Sequence, residues 1–351
     1  MSRDLFGDLF GALATDRQEA ARAALRQVAG PRSISSLSPV SGGASGAAIF
    51  RAEIEGRSYL LRVEGAELPG LPRNPHRHEC ARLAAEAGIA PAIRHLDETS
   101  GVMVTDFVEA QPLEAFPGGE LALARALGEL VQRVQSGPAF PPLVDYLELM
   151  ERRLAGLAAS GRFMAGALDP HGERLAAIRL ARQEDPPSLA PSHNDPNRGN
   201  ILFDGQRLWL IDWESAYRND PFVDVAIVLD SLASGPAFEA GLLEAWLGRA
   251  PDATDRRRLE LARSLARLYM ACFLLDIGPP AAAAAAIDAL DPADVLGAII
   301  AGRLAPGTPE TAQALGRIYL SGFLTGAAVP GLAAAVSAAM GLPKASWDPP
   351  A

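Results

Sequence analysis

"SHNDPNRGNILFDGQRLWLIDWES" spans Ser192 to Ser215, and its reading decides what the rest of the chain is for. Two short apolar runs, Ile201 to Phe203 and Leu208 to Ile211, flank Asp204-Gly205, a pair that reads as a tight hairpin turn. Asp195 and Asn200 sit on the loop entering the first strand and Asp212 leaves the second. A hairpin therefore carries all three to one edge. Two hard oxygen ligands with a separate carboxylate suit magnesium and a polyphosphate better than a transition metal, since no Cys and only one His lie nearby. Phosphoryl transfer uses such an assembly, with metal ions to neutralise the phosphates and a carboxylate to orient the attacking hydroxyl.

Working outward, 351 residues are long for one core, so two lobes are expected. With 49% apolar residues the chain has ample material to fold. A net charge of −10 argues against nucleic acid as a partner and leans weakly towards cationic or metal-bridged ligands. Cys80 and Cys272 match no zinc or redox spacing and read as reduced and buried, with a cytoplasmic location as the default. The first residues carry acids inside their only apolar stretch, unlike a signal peptide. From Ile318 to Pro343 the chain is uncharged and long enough to span a bilayer, but it is rich in Ala, Gly and Ser and interrupted by Pro330. Buried helices are the expectation there, and no membrane partner.

Thr15-Asp-Arg-Gln18 has the capping-box pattern for a helix ending near Gly30. Strands are expected at Ile34 to Val40, Ala48 to Glu55 and Arg57 to Val63, then a helix starting at Pro75 with Gly88 just past its end, then strands at Ala92 to Leu96 and Val102 to Phe107. From Glu120 the pattern turns helical, interrupted only by the opening stretch. The expected fold is α+β and two-lobed: a helical extension over 1–30, a small antiparallel-sheet lobe with one helix over 31–107, and a mainly helical lobe over 108–351, hinged near 106–112. No repeat of fixed period is present; the alanines at 281–286 read as helix.

His193-Asn-Asp195 followed by Asn200, with Ile211-Asp-Trp-Glu214 and then Asp220-Pro-Phe-Val-Asp224, resembles the aminoglycoside phosphotransferase and choline kinase superfamily, which has a protein-kinase-like fold. The likeness covers roughly residues 33 to 275. It implies an ATP- and magnesium-dependent phosphotransferase acting on a hydroxyl of a small acceptor. Asp195 would be the catalytic carboxylate, and Asn200 and Asp212 the metal ligands. The phosphates would lie under the Gly-rich turn holding Ser41, Gly42, Gly43, Ser45 and Gly46, and against Arg62. An acid of the next helix, Glu79, would brace Arg62, though Glu86 shares its helical face. Backbone groups of Asp106, Phe107 and Val108 would receive the adenine. Pro196 and Glu214 depart from the protein-kinase pattern without removing a needed oxygen. Only eleven residues separate Asp212 from Asp224, too few for a long activation segment, so the site is expected to be open to a small acceptor.

Several of these residues have plainer readings. Alone, SGGASG is a Gly/Ser turn, Arg62 a strand-face arginine and Glu79 a solvated helix residue. His193 reads as a brace for the catalytic loop, and Asp224 as the cap of a helix near Val225 that fixes the loop from behind. Trp213 and Tyr217 form either a cage for a quaternary ammonium group or core packing, while Trp246 and Trp347 read as packing. Glu214 and Tyr217 would line the acceptor space and favour an amine-bearing acceptor of the choline, ethanolamine, thiamine or aminoglycoside kind. Alternatively, Glu214 would serve a second magnesium. A rival for the whole chain is a catalytically inactive nucleotide-binding module; a missing catalytic Asp or metal ligand would mark it, and none is missing.

Overall fold

The structure is a computed structural model that describes residues 10–11, 13–40, 46–65, 73–232, 235–277, 290–305 and 308–326. Ser41, Gly42, Gly43 and Ser45 lie outside these residues, as do the alanines at 281–286, the stretch from 327 onward and Trp347.

The smaller lobe holds a helix, α1 (Thr15–Ala29), and five strands: β1 (Ile34–Pro39), β2 (Ala48–Ile54), β3 (Arg57–Val63), β4 (Ile93–Asp97) and β5 (Val102–Asp106). The strands form one antiparallel sheet in the order β1-β2-β3-β5-β4. Their alternation puts Phe50, Ala52, Ile54, Leu61, Val63, Val102 and Val104 on one buried face. Onto that face α1 lays Ala21, Ala24, Leu25 and Ala29, together with Phe10. The helix expected as an extension is therefore part of the small lobe's core. It also starts differently: Ala14 stands at the cap with no side-chain bond, and Gln18 Nε2 donates to the Leu13 carbonyl instead of closing a capping box.

The larger lobe contains α3 (Gly119–Gln135), α4 (Tyr146–Ala159), α5 (Asp169–Glu184), α6 (Pro221–Leu232), α7 (Pro236–Leu247), α8 (Ala253–Ile277), α9 (Pro292–Ile300) and α10 (Pro309–Thr325). At Gly128 a Cβ would stand 2.4 Å from the Leu242 carbonyl, so glycine lets α3 and α7 meet backbone to backbone. Among the described residues no helix is long and apolar enough to cross a membrane.

One helix, α2 (Arg77–Glu86), divides its loyalties. It follows the first three strands in sequence, but Cys80, Ala81, Ala84 and the following Ile89 are buried in the large lobe's core. Packing thus separates the lobes elsewhere than at residue 107.

Two short ribbons frame the site. β7 (Ile201–Phe203) pairs with β8 (Leu208–Leu210), joined by the four residues Asp204 to Arg207 rather than a two-residue turn. Asp204 closes that loop by accepting the N–H groups of Gln206 and Arg207, both at 2.8 Å, and Trp209 Nε1 at 2.7 Å. The second ribbon, β6 (Ala190–Ser192) with β9 (Tyr217–Asn219), was not expected from the sequence and brackets the hairpin on both sides.

Candidate active site

The loop after β6 is built on backbone support from behind. The N–H groups of His193 and Asn194 donate to the two carboxylate oxygens of Asp224, at 2.9 and 2.7 Å. Asp224 lies inside the first turn of α6 and caps nothing; its role is to hold this loop. Burial pushes its carboxyl up to about 7. Asn194 has φ 64°, a conformation Asn tolerates better than most side chains, and its amide spans to the Ser215 carbonyl at 2.9 Å while accepting from Asn219 at 2.7 Å. The fully buried His193 ring donates through Nε2 to the Ile211 carbonyl at 2.9 Å and accepts the Asp195 N–H at Nδ1, 3.3 Å away. That pattern fits a neutral imidazole, and burial lowers its pKa to about 4. His193 thus ties the loop to the end of the hairpin, the bracing role expected of it.

Asp195 emerges from this support next to Asn200. The Asn200 amide donates to the Asp195 carbonyl at 2.9 Å and to its carboxylate at 3.2 Å, and Asn197 donates to the other carboxylate oxygen at 2.9 Å. Burial pushes the Asp195 carboxyl up to about 7; the Asn197 and Asn200 hydrogen bonds oppose this, and the charges of Asp212 and Asp224 add to it. Because Asn200 commits its N–H groups to Asp195, its amide oxygen is left for other partners. Asp212 has φ 63°, a strained position that turns its side chain away from the hairpin ladder. Its Oδ1 is buried without a completed hydrogen bond. A hard oxygen whose neighbour is the Arg62 guanidinium at 3.4 Å, one residue past the Ile211 N–H that donates to the Asn200 backbone carbonyl at 3.0 Å, fits a magnesium ion that draws its remaining ligands from phosphates and water. Among the described residues no group of three or more His, Cys, Asp or Glu would hold a metal alone.

Arg62 on β3 comes down onto this loop. Its guanidinium is mostly buried, pairs with Glu214, and places Nη1 3.4 Å from Asp212 Oδ1. The brace expected from Glu79 is not there: Glu79 is half exposed and stands 3.7 Å from His76, while Glu86 pairs with Arg82 one turn away. Both acids lie on the outer side of α2, whose buried side faces the large lobe. The tie between β3 and α2 exists with its charges exchanged. Glu64, just past β3, accepts two hydrogen bonds from Arg77 at 2.7 and 3.0 Å and one from His78 at 2.9 Å, with Arg73 at 3.3 Å. Burial works against the charge of Glu64, yet the His78 and Arg77 hydrogen bonds hold its carboxyl well below the usual range. On its other side this segment grips the chain that follows the hairpin: Asn74 Nδ2 donates to the Ala216 carbonyl at 2.7 Å, as does Cys80 Sγ at 3.3 Å. α2 is a strut between the strand carrying Arg62 and the turn carrying Glu214.

The small lobe ends at the linker expected to receive adenine. Two of its three N–H groups are committed: Asp106 donates to the Ala92 carbonyl and Phe107 to the Ser58 carbonyl. The Asp106 carboxylate is taken by Arg94 at 2.6 and 2.7 Å. Only Val108 keeps its N–H outside the sheet. Gln111 then clips the linker to the hairpin by donating to the Phe203 carbonyl at 2.7 Å. Of the Gly-rich turn only Gly46 is described, in a left-handed conformation at φ 67° with its carbonyl against Gly65.

The aromatic residues divide. Trp213 is core, packed on His193 at 4.5 Å and edge-on to Phe140 at 5.9 Å, with Nε1 donating to the Leu210 carbonyl. Glu214 and Tyr217 do not share a wall, because Glu214 turns to Arg62 while Tyr217 is buried on β9 with no partner for its hydroxyl. Beside it are two groups sequence reasoning did not single out. The rings of Tyr146 and Tyr269 lie 6.2 Å apart, tilted by 32°, and both feel the charge of Asp195. Burial raises all three phenols. Nothing in the local sequence around Tyr146 or Tyr269 marks them, since they come from different helices. Both cysteines are reduced and buried, and burial pushes each thiol up to about 12.

A protein of known sequence, Protein LicA of Haemophilus influenzae, is 23% identical over 230 residues, covering 62% of this chain and 82% of LicA. In structure, the fold matches a choline/ethanolamine kinase family protein from Mesorhizobium loti with a TM-score of 0.65 at 21% identity, over 92% of this chain and 99% of that one. It also matches choline kinase LicA from Streptococcus pneumoniae, with a TM-score of 0.59 at 15% identity, over 73% of this chain and 89% of that one. The model of the phosphotransferase enzyme family matches residues 36–261, a span that contains Arg62, Asp195, Asn200, Asp212 and Asp224. The chain belongs to the phosphotransferase enzyme family.

Proposed function

We propose that this protein transfers the γ-phosphoryl group of ATP to a hydroxyl of a small acceptor bearing an amine. The observation that carries the reading is the joint placement of Asp195, Asn200 and Asp212 on one supported loop and hairpin, with Arg62 brought to them from the other lobe. Asn200 and Asp212 would hold magnesium, whose charge would offset that of the phosphates. Glu214, beside Arg62, belongs to that nucleotide side. Arg62 binds phosphate oxygens, and Val108 offers the linker's remaining N–H to the base. Asp195 orients the acceptor hydroxyl and takes its proton as the oxygen attacks the γ-phosphorus; the bond to the bridging oxygen breaks and ADP leaves. With its carboxyl raised by burial, Asp195 is suited to this near neutral pH.

The amine is supported by the phenols of Tyr146 and Tyr269, which feel the charge of Asp195, with Tyr217 next to them, since aromatic rings attract a cation. The kinase-family name of the Mesorhizobium loti structure leans the same way. A screen of ADP release over amino alcohols, thiamine, sugars and aminoglycosides, with ATP and magnesium, tests the reading. Release with an amine-bearing alcohol is the expected result; release only with neutral sugars removes the amine, and none with any alcohol removes the kinase assignment.

A further inference from the structure

The family match ends at residue 261, inside α8, and the chain continues through the rest of α8 and on to α10. Gly316 lets these two helices meet closely: a Cβ there would stand 2.6 Å from Leu275 Cγ and 3.3 Å from the Ala271 carbonyl. One turn on, Tyr319 is half-buried; with Gly316 against Ala271 and Leu275, and Phe323 beside the Arg174 that bonds Ser264, the register of the two helices sets Tyr319 level with Arg267.

Arg267 is the unusual member. It is only 5% exposed. Nε and Nη2 grip Asp230 at 2.7 and 3.1 Å, but Nη1 is buried and completes no hydrogen bond. Buried donors are nearly always paired, and one on a charged group left unpaired is expensive. One turn earlier on the same face of α8, Ser264 accepts from Arg174 Nη2 at 3.0 Å. Arg174 Nε is also buried without a partner, and its guanidinium lies over Phe323 of α10, 5.7 Å from the ring centre, with no carboxylate paired to it among the described residues. Three helices thus bring two guanidinium groups and a phenol to one seam, and the acid that Arg267 grips there, Asp230, is already shared with Arg263.

We propose that the acceptor carries a carboxylate at the end remote from its hydroxyl, and that Arg267 Nη1 and Tyr319, backed by Arg174, recognise it in the α5/α8/α10 seam. This rests on the kinase reading above and narrows its acceptor to a hydroxylated amine that is also an acid. A carboxylate offers two planar acceptor oxygens to a guanidinium edge and a hydroxyl. A phosphate dianion would bring a second negative charge towards Asp230.

The test compares acceptors that differ by the carboxylate alone or nearly so: serine with ethanolamine, homoserine with 3-aminopropanol, and carnitine with choline, each assayed for ADP release with magnesium and ATP. At least one acid is expected to exceed its partner tenfold or more in kcat/KM. Arg267→Gln should bring that ratio close to one. Since Arg267 is buried against Asp230 and its loss can impair folding, Tyr319→Phe, which removes one hydroxyl, provides the second reading and should lower the ratio severalfold. Wild-type preference for the partners without a carboxylate overturns the inference and leaves the kinase reading standing, as does a ratio that survives both substitutions. No ADP release with any hydroxyl compound overturns the kinase reading and the inference with it.

Discussion

Arg62 Nη1 stands 3.4 Å from Asp212 Oδ1, joining the sheet of the small lobe to the end of the hairpin in the large one. The two residues are 150 positions apart, and each is otherwise an unremarkable charge in its own segment. Replacing Arg62 with Met leaves Asp212 and Glu214 close together without their cation. Nucleotide affinity measured by calorimetry should fall roughly tenfold to a hundredfold, the range for losing a hydrogen bond to a charged group. An affinity within twofold of wild type would take Arg62 out of the phosphate site.

Glu214 pairs with Arg62 and not with the tyrosines, and its substitution should report that side. Glu214→Gln is expected to weaken magnesium-dependent ATP binding several-fold while sparing the Michaelis constant of the acceptor. The opposite pattern would return Glu214 to the acceptor wall.

Asp195→Asn keeps the shape and the Asn197 and Asn200 neighbours but removes the proposed proton acceptor. Turnover should drop by roughly a hundredfold or more, the scale of a positioned acid–base group, with ATP affinity nearly unchanged. Retained turnover would show that another group handles the hydroxyl proton.

The strut prediction separates two glutamates of one region. Glu64→Gln leaves Arg77 and His78 buried without their carboxylate and should cost about 3 kcal/mol in urea denaturation. Glu79→Gln, on the outer side of α2, should stay within about 0.5 kcal/mol. The pH arm has a definite sign. Hydrogen bonds hold the Glu64 carboxyl below its unfolded value, so its contribution is present above roughly pH 4.5 and is lost as pH falls, when the unfolded chain binds the proton first. Wild type should therefore lose stability more steeply than Glu64→Gln on acidification from there; parallel acid limbs would contradict the clamp.

The sequence by itself determined the phosphotransferase signature. The residues from 193 to 224 form one continuous stretch, and a loop, a hairpin and a helix start convert their spacing directly into proximity. The five strands of the small lobe were legible within a residue or so because a sheet buried on one face imposes alternation on its own sequence. Spacing could not say which acid meets Arg62: the orientation of α2 is set by Cys80, Ala81 and Ala84 entering the large lobe's core, and this turns Glu79 outward and Arg77 towards Glu64. Nor could it separate Trp213, which is core, from Tyr217, which stands with Tyr146 and Tyr269, because two residues near each other in a loop are sorted only by the helices that close over them. The seam of Arg174, Arg267 and Tyr319 lies further still from anything local. Its members come from three helices, and only the packing of α10 on α8 and α5 brings them to one seam, because a buried hydrogen-bonding group is defined by what surrounds it and not by its neighbours in the chain.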